Sequence, residues 1–263
     1  MSTTQNNEEL YIVGIQSPIV WEDPNANRIA FSQKIVRTAK ENENIDIIVL
    51  PEVFTTGFSM NIDSIDTWES GETLDWMRDI AKQYNVAIMG SVAFRFEDGI
   101  ARNRSLFVTP DGRFEFYDKR HLFTFGKENE YYERGKARKV IEFRGWNILL
   151  QICYDLRFPC FSKNSLSTKY DVALYVANWP EVRAHAWRTL LQARAIENQC
   201  YVVGVNRTGT DPSKLAYRGD SLGVDPYGNI LSDADQGESI TLVCNRSTLD
   251  KFRAKFPVLE DAE

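Results

Sequence analysis

Four short, almost unbroken apolar runs constrain this chain more than any other feature. They are IDIIVL at 45–50, WNILLQI at 146–152, VALYVA at 172–177 and YVVGV at 201–205. A strand without a polar face turns no face to water, so such runs belong between layers of a larger fold. Each is far too short to span a bilayer. Between them, apolar residues recur at helical spacing. Residues 25–41 carry Ile29, Ile35, Val36 and Ala39 behind Pro24; residues 71–84 form a second amphipathic stretch. Residues 183–198 carry Trp187, Leu190, Leu191 and Ala193 near one face. Residues 10–15, 86–96, 221–224, 229–232 and 239–245 read as further strands. Thr109-Pro110-Asp111-Gly112 predicts a turn between strands at 104–108 and 113–118. Arg144-Gly145 predicts another between 139–143 and 146–152, and Asp225-Pro226-Tyr227-Gly228 a third.

A purely doubly wound parallel sheet lacks so many hairpins. The pattern predicts an α/β (α+β) fold in which two mixed β-sheets pack face to face with helices outside. No shift of composition marks a boundary, so one domain is expected over 1–263, behind a polar tail of about residues 1–9. The formal net charge is -6, and the basic cluster at 136–139 is short, so no nucleic-acid partner is expected. No apolar run suits a membrane, and the polar, acidic start lacks the pattern of a signal peptide, so a cytoplasmic location is expected. Four cysteines without a CxxC pair do not form a disulfide scaffold. Two histidines make a His-rich zinc site implausible, and the glycines are scattered rather than gathered in a phosphate loop. Neither a metal nor any other cofactor is expected.

Three apolar runs stop abruptly at polar residues: Glu52, Cys153 with Asp155, and Asn178. Ligands of open α/β sheets bind beyond the carboxyl ends of strands. An arbitrary cysteine is usually a buried small hydrophobe, and Cys200 and Cys244 fit that reading. Cys160 follows Pro159 and has no evident base. Cys153 differs, because it stands where an apolar strand gives way to a polar turn. A cysteine nucleophile needs a base or a cationic neighbour. His185 suits a packing or surface role and His121 a pocket wall; neither spacing matches a papain-like protease. Glu52, after a buried strand and Pro51, would be partly desolvated and therefore a stronger base, although a helix-capping role fits it equally. Lys119 is either a solvated loop charge or, in a pocket, a group that stabilises an oxyanion.

These residues lie in LPEVFTTGF around Glu52, YDKRHLF around Lys119 and CYDLRFP from Cys153. ANWP, ARAIENQCYVVGVNR and GDSLGVDPYG follow in order. The chain resembles the nitrilase, or carbon–nitrogen hydrolase, superfamily along nearly its whole length. The resemblance implies a four-layer αββα sandwich and a Glu52–Lys119–Cys153 triad. It also implies a second glutamate after the lysine, for which Glu128 fits and Glu130 is the alternative. Such families often have an acidic residue where Cys160 stands here. DKRHLF with YERG, and ANWP with LLQARAIENQ, resemble the omega-amidase branch. That branch hydrolyses the terminal amide of 2-oxo dicarboxylic acid monoamides such as 2-oxoglutaramate and 2-oxosuccinamate.

The implied reaction is attack by Cys153 on a small amide, with Glu52 as base, Lys119 and the Tyr154 N–H around the oxyanion, and a thioester intermediate. Arg157 is a candidate for the substrate carboxylate, or else an ion-pair partner of Asp155 or another neighbour. Trp179 is a candidate wall, whereas Trp76 and Trp187 read as helix-face core. A homodimer or larger homo-oligomer is implied by resemblance. The rivals are a nitrilase, an N-carbamoyl-amino-acid hydrolase and a non-catalytic scaffold on the same fold.

Overall fold

The computed structural model describes residues 8–42, 44–235 and 237–261. Of the tail expected at about residues 1–9, residues 1–7 lie outside those described, and Glu9 already belongs to a strand. In chain order the elements begin with β1 (Glu9–Ile15), α1 (Pro24–Glu41), β2 (Ile47–Val49), β3 (Asp66–Thr67), α2 (Glu72–Tyr84), β4 (Ala87–Arg95), β5 (Ala101–Val108) and β6 (Phe114–Asp118). There follow α3 (Glu128–Tyr131), β7 (Lys139–Phe143), β8 (Trp146–Ile152), α4 (Pro159–Ser162), β9 (Val172–Ala177), α5 (Ala184–Asn198) and β10 (Tyr201–Asn206). The chain continues with β11 (Thr208–Thr210), β12 (Ala216–Arg218), β13 (Leu222–Val224), β14 (Ile230–Asp233), β15 (Ser239–Asn245) and α6 (Arg246–Lys255).

One sheet runs in the order β15-β1-β2-β4-β5-β6, with β3 alongside β4; the other runs β14-β13-β10-β9-β8-β7. Both are mixed: β1, β2 and β4 are parallel neighbours, as are β8, β9 and β10, while the remaining long pairings are antiparallel. The period-two alternation of side chains explains the layers. In the first sheet Leu10, Ile12, Ile47, Val49 and Met89 face inward, against Ile148, Leu150, Leu174, Val176 and Val203 of the second. The alternate residues Val13, Ile15, Ile48 and Ile88 face α1 and α2. On the far side, Leu149, Ala173, Tyr175 and Val202 face Trp187, Leu191 and Ala195 of α5. The result is the four-layer αββα sandwich. Each such aliphatic side chain contributes about 1.5–3 kcal/mol when fully buried. The sheets approach closely at Gly14, where a Cβ would lie 2.5 Å from Val205 Cγ2.

An ionic cluster ties α6 to the second sheet. Asp171 receives Arg253 Nη1 at 2.7 Å, Arg246 Nη1 at 2.9 Å and the Asn147 N–H at 3.1 Å. Arg253 also donates to the carbonyls of Gln199 and Tyr170. Burial alone would raise the Asp171 carboxyl, but these donors and charges outweigh it and hold it below the ordinary carboxylate value.

The apolar run at 45–50 forms ladder pairs only over β2. Just ahead of β2, Asp46 turns its carboxylate to the Tyr11 N–H at 2.8 Å and pairs with Arg144. The strand expected at 104–108 begins at Ala101, because pairing with β4 continues through Arg102 and Asn103. The β11–β12 ribbon escaped the sequence reading: TGT and AYR carry no apolar period long enough to register.

Candidate active site

Strand direction brings the functional segments together. β6 runs parallel to β2 because two antiparallel steps, β4 to β5 and β5 to β6, separate it from β4. Glu52 and Lys119 therefore leave the same end of the first sheet, while Cys153 and Asn178 leave the carboxyl ends of β8 and β9 in the second. All four line one cavity of about 60 Å³ between the sheets' ends. A larger open depression of about 400 Å³, beside Arg102 and Lys139, contains no cysteine.

The floor is a buried ionic cluster. Lys119 Nζ donates to Glu52 Oε1 at 2.8 Å and to both Glu128 oxygens at 3.0 Å, with the side chains of all three residues almost wholly removed from solvent. Asn103 Nδ2 adds a bond to Glu52 Oε1 at 2.9 Å, and the Asn178 N–H reaches Glu52 Oε2 at 2.7 Å. Glu52 is therefore held from both sheets. Glu128 stands at the first position of α3 and accepts the Phe123 N–H at 2.6 Å. Glu130, the other candidate for this place, is exposed. Lys119 is fixed from behind by Gly135, whose N–H donates to the Lys119 carbonyl at 2.8 Å. A Cβ there would lie 2.1 Å from the Asp118 oxygen.

Burial alone would lower the Lys119 ammonium; the Glu128 and Glu52 carboxylates outweigh it and hold the lysine protonated well above its ordinary value. Burial raises the Glu128 carboxyl, opposed by Lys119 and assisted by Glu52. The Cys153 thiol is pushed well above its ordinary value by burial first, then by the Glu52 carboxylate, against the pull of Lys119. At neutral pH the thiol is protonated, beside a carboxylate that can take its proton.

Cys153 has φ +44°, in the left-handed region, at the start of a short 3₁₀ turn, Cys153–Arg157. Such strain is stored at sites where surrounding structure overdetermines it. Here the restraint is Asp155, fully buried. It accepts the Tyr117 hydroxyl at 2.8 Å, the Ile152 N–H at 3.1 Å and the His121 N–H at 2.9 Å, and pairs with His121 Nδ1 at 2.8 Å. Asp155 thus staples the segment after Lys119 to the turn that carries Cys153. Arg157 is not its partner, because those bonds occupy Asp155. The Arg157 guanidinium instead lies 4.9 Å from the centre of the Trp179 ring. Both residues line the cavity, as does Tyr154. Trp187 is core, and His185 is exposed.

Among the described residues no three His, Cys, Asp or Glu side chains gather to hold a metal. The model of the carbon–nitrogen hydrolase family matches residues 12–254. The chain belongs to the carbon–nitrogen hydrolase family. This carbon–nitrogen hydrolase is 47% identical to omega-amidase YafV of Yersinia enterocolitica over 95% of both chains, and 44% identical to that of Escherichia coli K12 over 97% of both. It is 34% identical to the 2-oxoglutaramate amidase of Bacillus subtilis over 84% of this chain and 86% of that one. A solved carbon–nitrogen hydrolase superfamily protein of Xanthomonas campestris superposes with a TM-score of 0.92 at 41% identity, covering 97% of each chain.

Several lining residues of the hydrolase escaped the sequence reading: Phe58, Phe123, Arg183, Leu215 and Tyr217, with Asn103 beneath them. Asn103 alone left a trace, as a residue type poor in strands at a buried strand position.

Proposed function

We propose that this protein is an omega-amidase: it hydrolyses the terminal amide of a 2-oxo dicarboxylic acid monoamide through a thioester on Cys153. The observation that carries the reading is the contact of Lys119 with both Glu52 and Glu128 on the floor of the cavity that Cys153 lines. The similarity to omega-amidases and 2-oxoglutaramate amidases supports the choice of substrate.

Glu52 takes the thiol proton as sulfur attacks the amide carbon. The developing oxyanion meets Lys119 Nζ and the Tyr154 N–H, a donor near the start of a helical turn, where internal partners are lacking. Glu52 returns the proton to the leaving nitrogen, and ammonia departs. Water then loses a proton to Glu52 and attacks the thioester; collapse expels the sulfur, which recovers the proton. Covalent capture splits one difficult hydrolysis into two easier steps. Glu128 keeps Lys119 charged and in place, and Arg157 on its Trp179 platform meets the substrate carboxylate at the mouth.

The test is ammonia release over 2-oxo acid amides, glutamine, asparagine, nitriles and carbamoyl amino acids. Wild type is expected to prefer the 2-oxo acid amides, and Cys153→Ala to lose at least about a thousand-fold in kcat. Undiminished ammonia release by Cys153→Ala would overturn the mechanism.

The whole chain is proposed to act as one domain, since a single apolar cluster draws on both sheets. Four free cysteines suit the reducing cytoplasm. A homodimer is proposed on the exposed Ile196, Tyr227 and Phe256 near the ends of α5 and α6. Sedimentation of Ile196→Asp tests it, with a shift to monomer expected.

A further inference from the structure

Two guanidinium groups stand at the mouth of the cavity without an acid partner. Arg157 lies over Trp179, and Arg183 lies 5.3 Å from the centre of the Phe123 ring. Among the described residues neither forms an ion pair. The Arg183 carbonyl accepts the Trp179 indole N–H at 2.8 Å. The backbone of Arg183 is thus latched beside β9, while its guanidinium reaches the segment that follows β6. Among the described residues the only carboxylate lining the cavity is Glu52, whose two oxygens are already engaged by Lys119, Asn103 and Asn178. Among the described residues at the mouth, the two guanidinium groups therefore face no free carboxylate.

A guanidinium resting on an aromatic face has lost part of its freedom before ligand arrives, and its planar donors match adjacent acceptor oxygens. A 2-oxo acid presents such oxygens, in its carboxylate and neighbouring carbonyl. The 2-amino acid of the same length replaces that carbonyl with an ammonium, which two guanidinium groups repel. We propose that Arg183 is a specificity-determining residue: together with Arg157 it holds the 2-oxo acid end of the substrate and rejects glutamine and asparagine by charge rather than size. This rests on the omega-amidase reading.

The test compares wild type, Arg183→Gln and Arg183→Lys on 2-oxoglutaramate, glutamine and pentanamide, an uncharged amide of the same chain length. For Arg183→Gln, KM for 2-oxoglutaramate should rise on the order of ten- to a hundred-fold, as for loss of a charge-assisted bond. Its kcat should change far less, pentanamide turnover should hold, and the preference for 2-oxoglutaramate over glutamine should shrink. Arg183→Lys should keep much of the discrimination against glutamine. The thermal midpoint provides a second check on folding. An unchanged KM in Arg183→Gln, or the same factor of loss on all three amides, would overturn the role of Arg183 and leave the omega-amidase reading standing. A wild type that releases no ammonia from 2-oxo acid amides would overturn that reading, and this inference with it.

Discussion

At the base of α6 one carboxylate faces two guanidinium groups; on the cavity floor one ammonium faces two carboxylates. Both clusters are buried and both join distant segments. At Asp171 the cations exceed the anions, and the carboxyl is held low. On the cavity floor burial raises both the Glu128 carboxyl and the Cys153 thiol, with the Glu52 carboxylate adding to it and Lys119 opposing it. Excess positive charge around an acid fixes it in one protonation state, which suits a structural joint. Burial that the neighbouring cation does not offset keeps protons on the acid and the thiol, which suits the proton transfer proposed for this site.

The most severe way to break this comparison is Asp171→Asn. It leaves two guanidinium groups without their buried counter-charge, at a cost of about 3–5 kcal/mol. The thermal midpoint should fall by about 10 °C, while kcat of the folded fraction is preserved. Because the folded carboxyl titrates below its unfolded value, its stabilisation is present above about pH 4 and fades as the pH falls through the folded value. Wild type and variant should therefore converge in acid; a stability gap independent of pH would remove the electrostatic explanation.

Lys119→Ala comes next, with kcat expected to drop by about a hundred- to a thousand-fold through loss of an oxyanion donor. A kcat near wild type would remove Lys119 from the reaction. Glu128→Gln should be milder, because Lys119 keeps Glu52 as a partner. We expect kcat to fall about ten-fold, within the range for a positioned group, with a smaller thermal shift than that of Asp171→Asn. A larger shift would mean that Glu128 is chiefly structural. The smallest effect concerns thiol chemistry. With the Cys153 thiol raised, its alkylation by iodoacetamide, mapped by mass spectrometry apart from exposed Cys160, should still be accelerating between about pH 7 and 9. A plateau below neutrality would reveal a preformed thiolate and leave Glu52 without a proton to accept.

The sequence by itself determined which segments are buried, where the 109–112 and 144–145 hairpins turn, and that Glu52, Cys153 and Asn178 stand where apolar strands end. These follow from periodicity and turn chemistry, which are local. The resemblance of its motifs added Lys119 and the order of the site. Only the tertiary structure decided who meets whom. Lys119 bonds a carboxylate 67 residues away, and Asn178 reaches Glu52 across 126 residues. Tertiary packing also took Arg157 away from Asp155 and onto Trp179, gave Asp155 to His121 and Tyr117, and brought Arg183 to the mouth. Periodicity records that a side chain is hidden, not what hides it. That partner is set by strand direction, register and the face-to-face approach of the two sheets, none of which any single segment encodes.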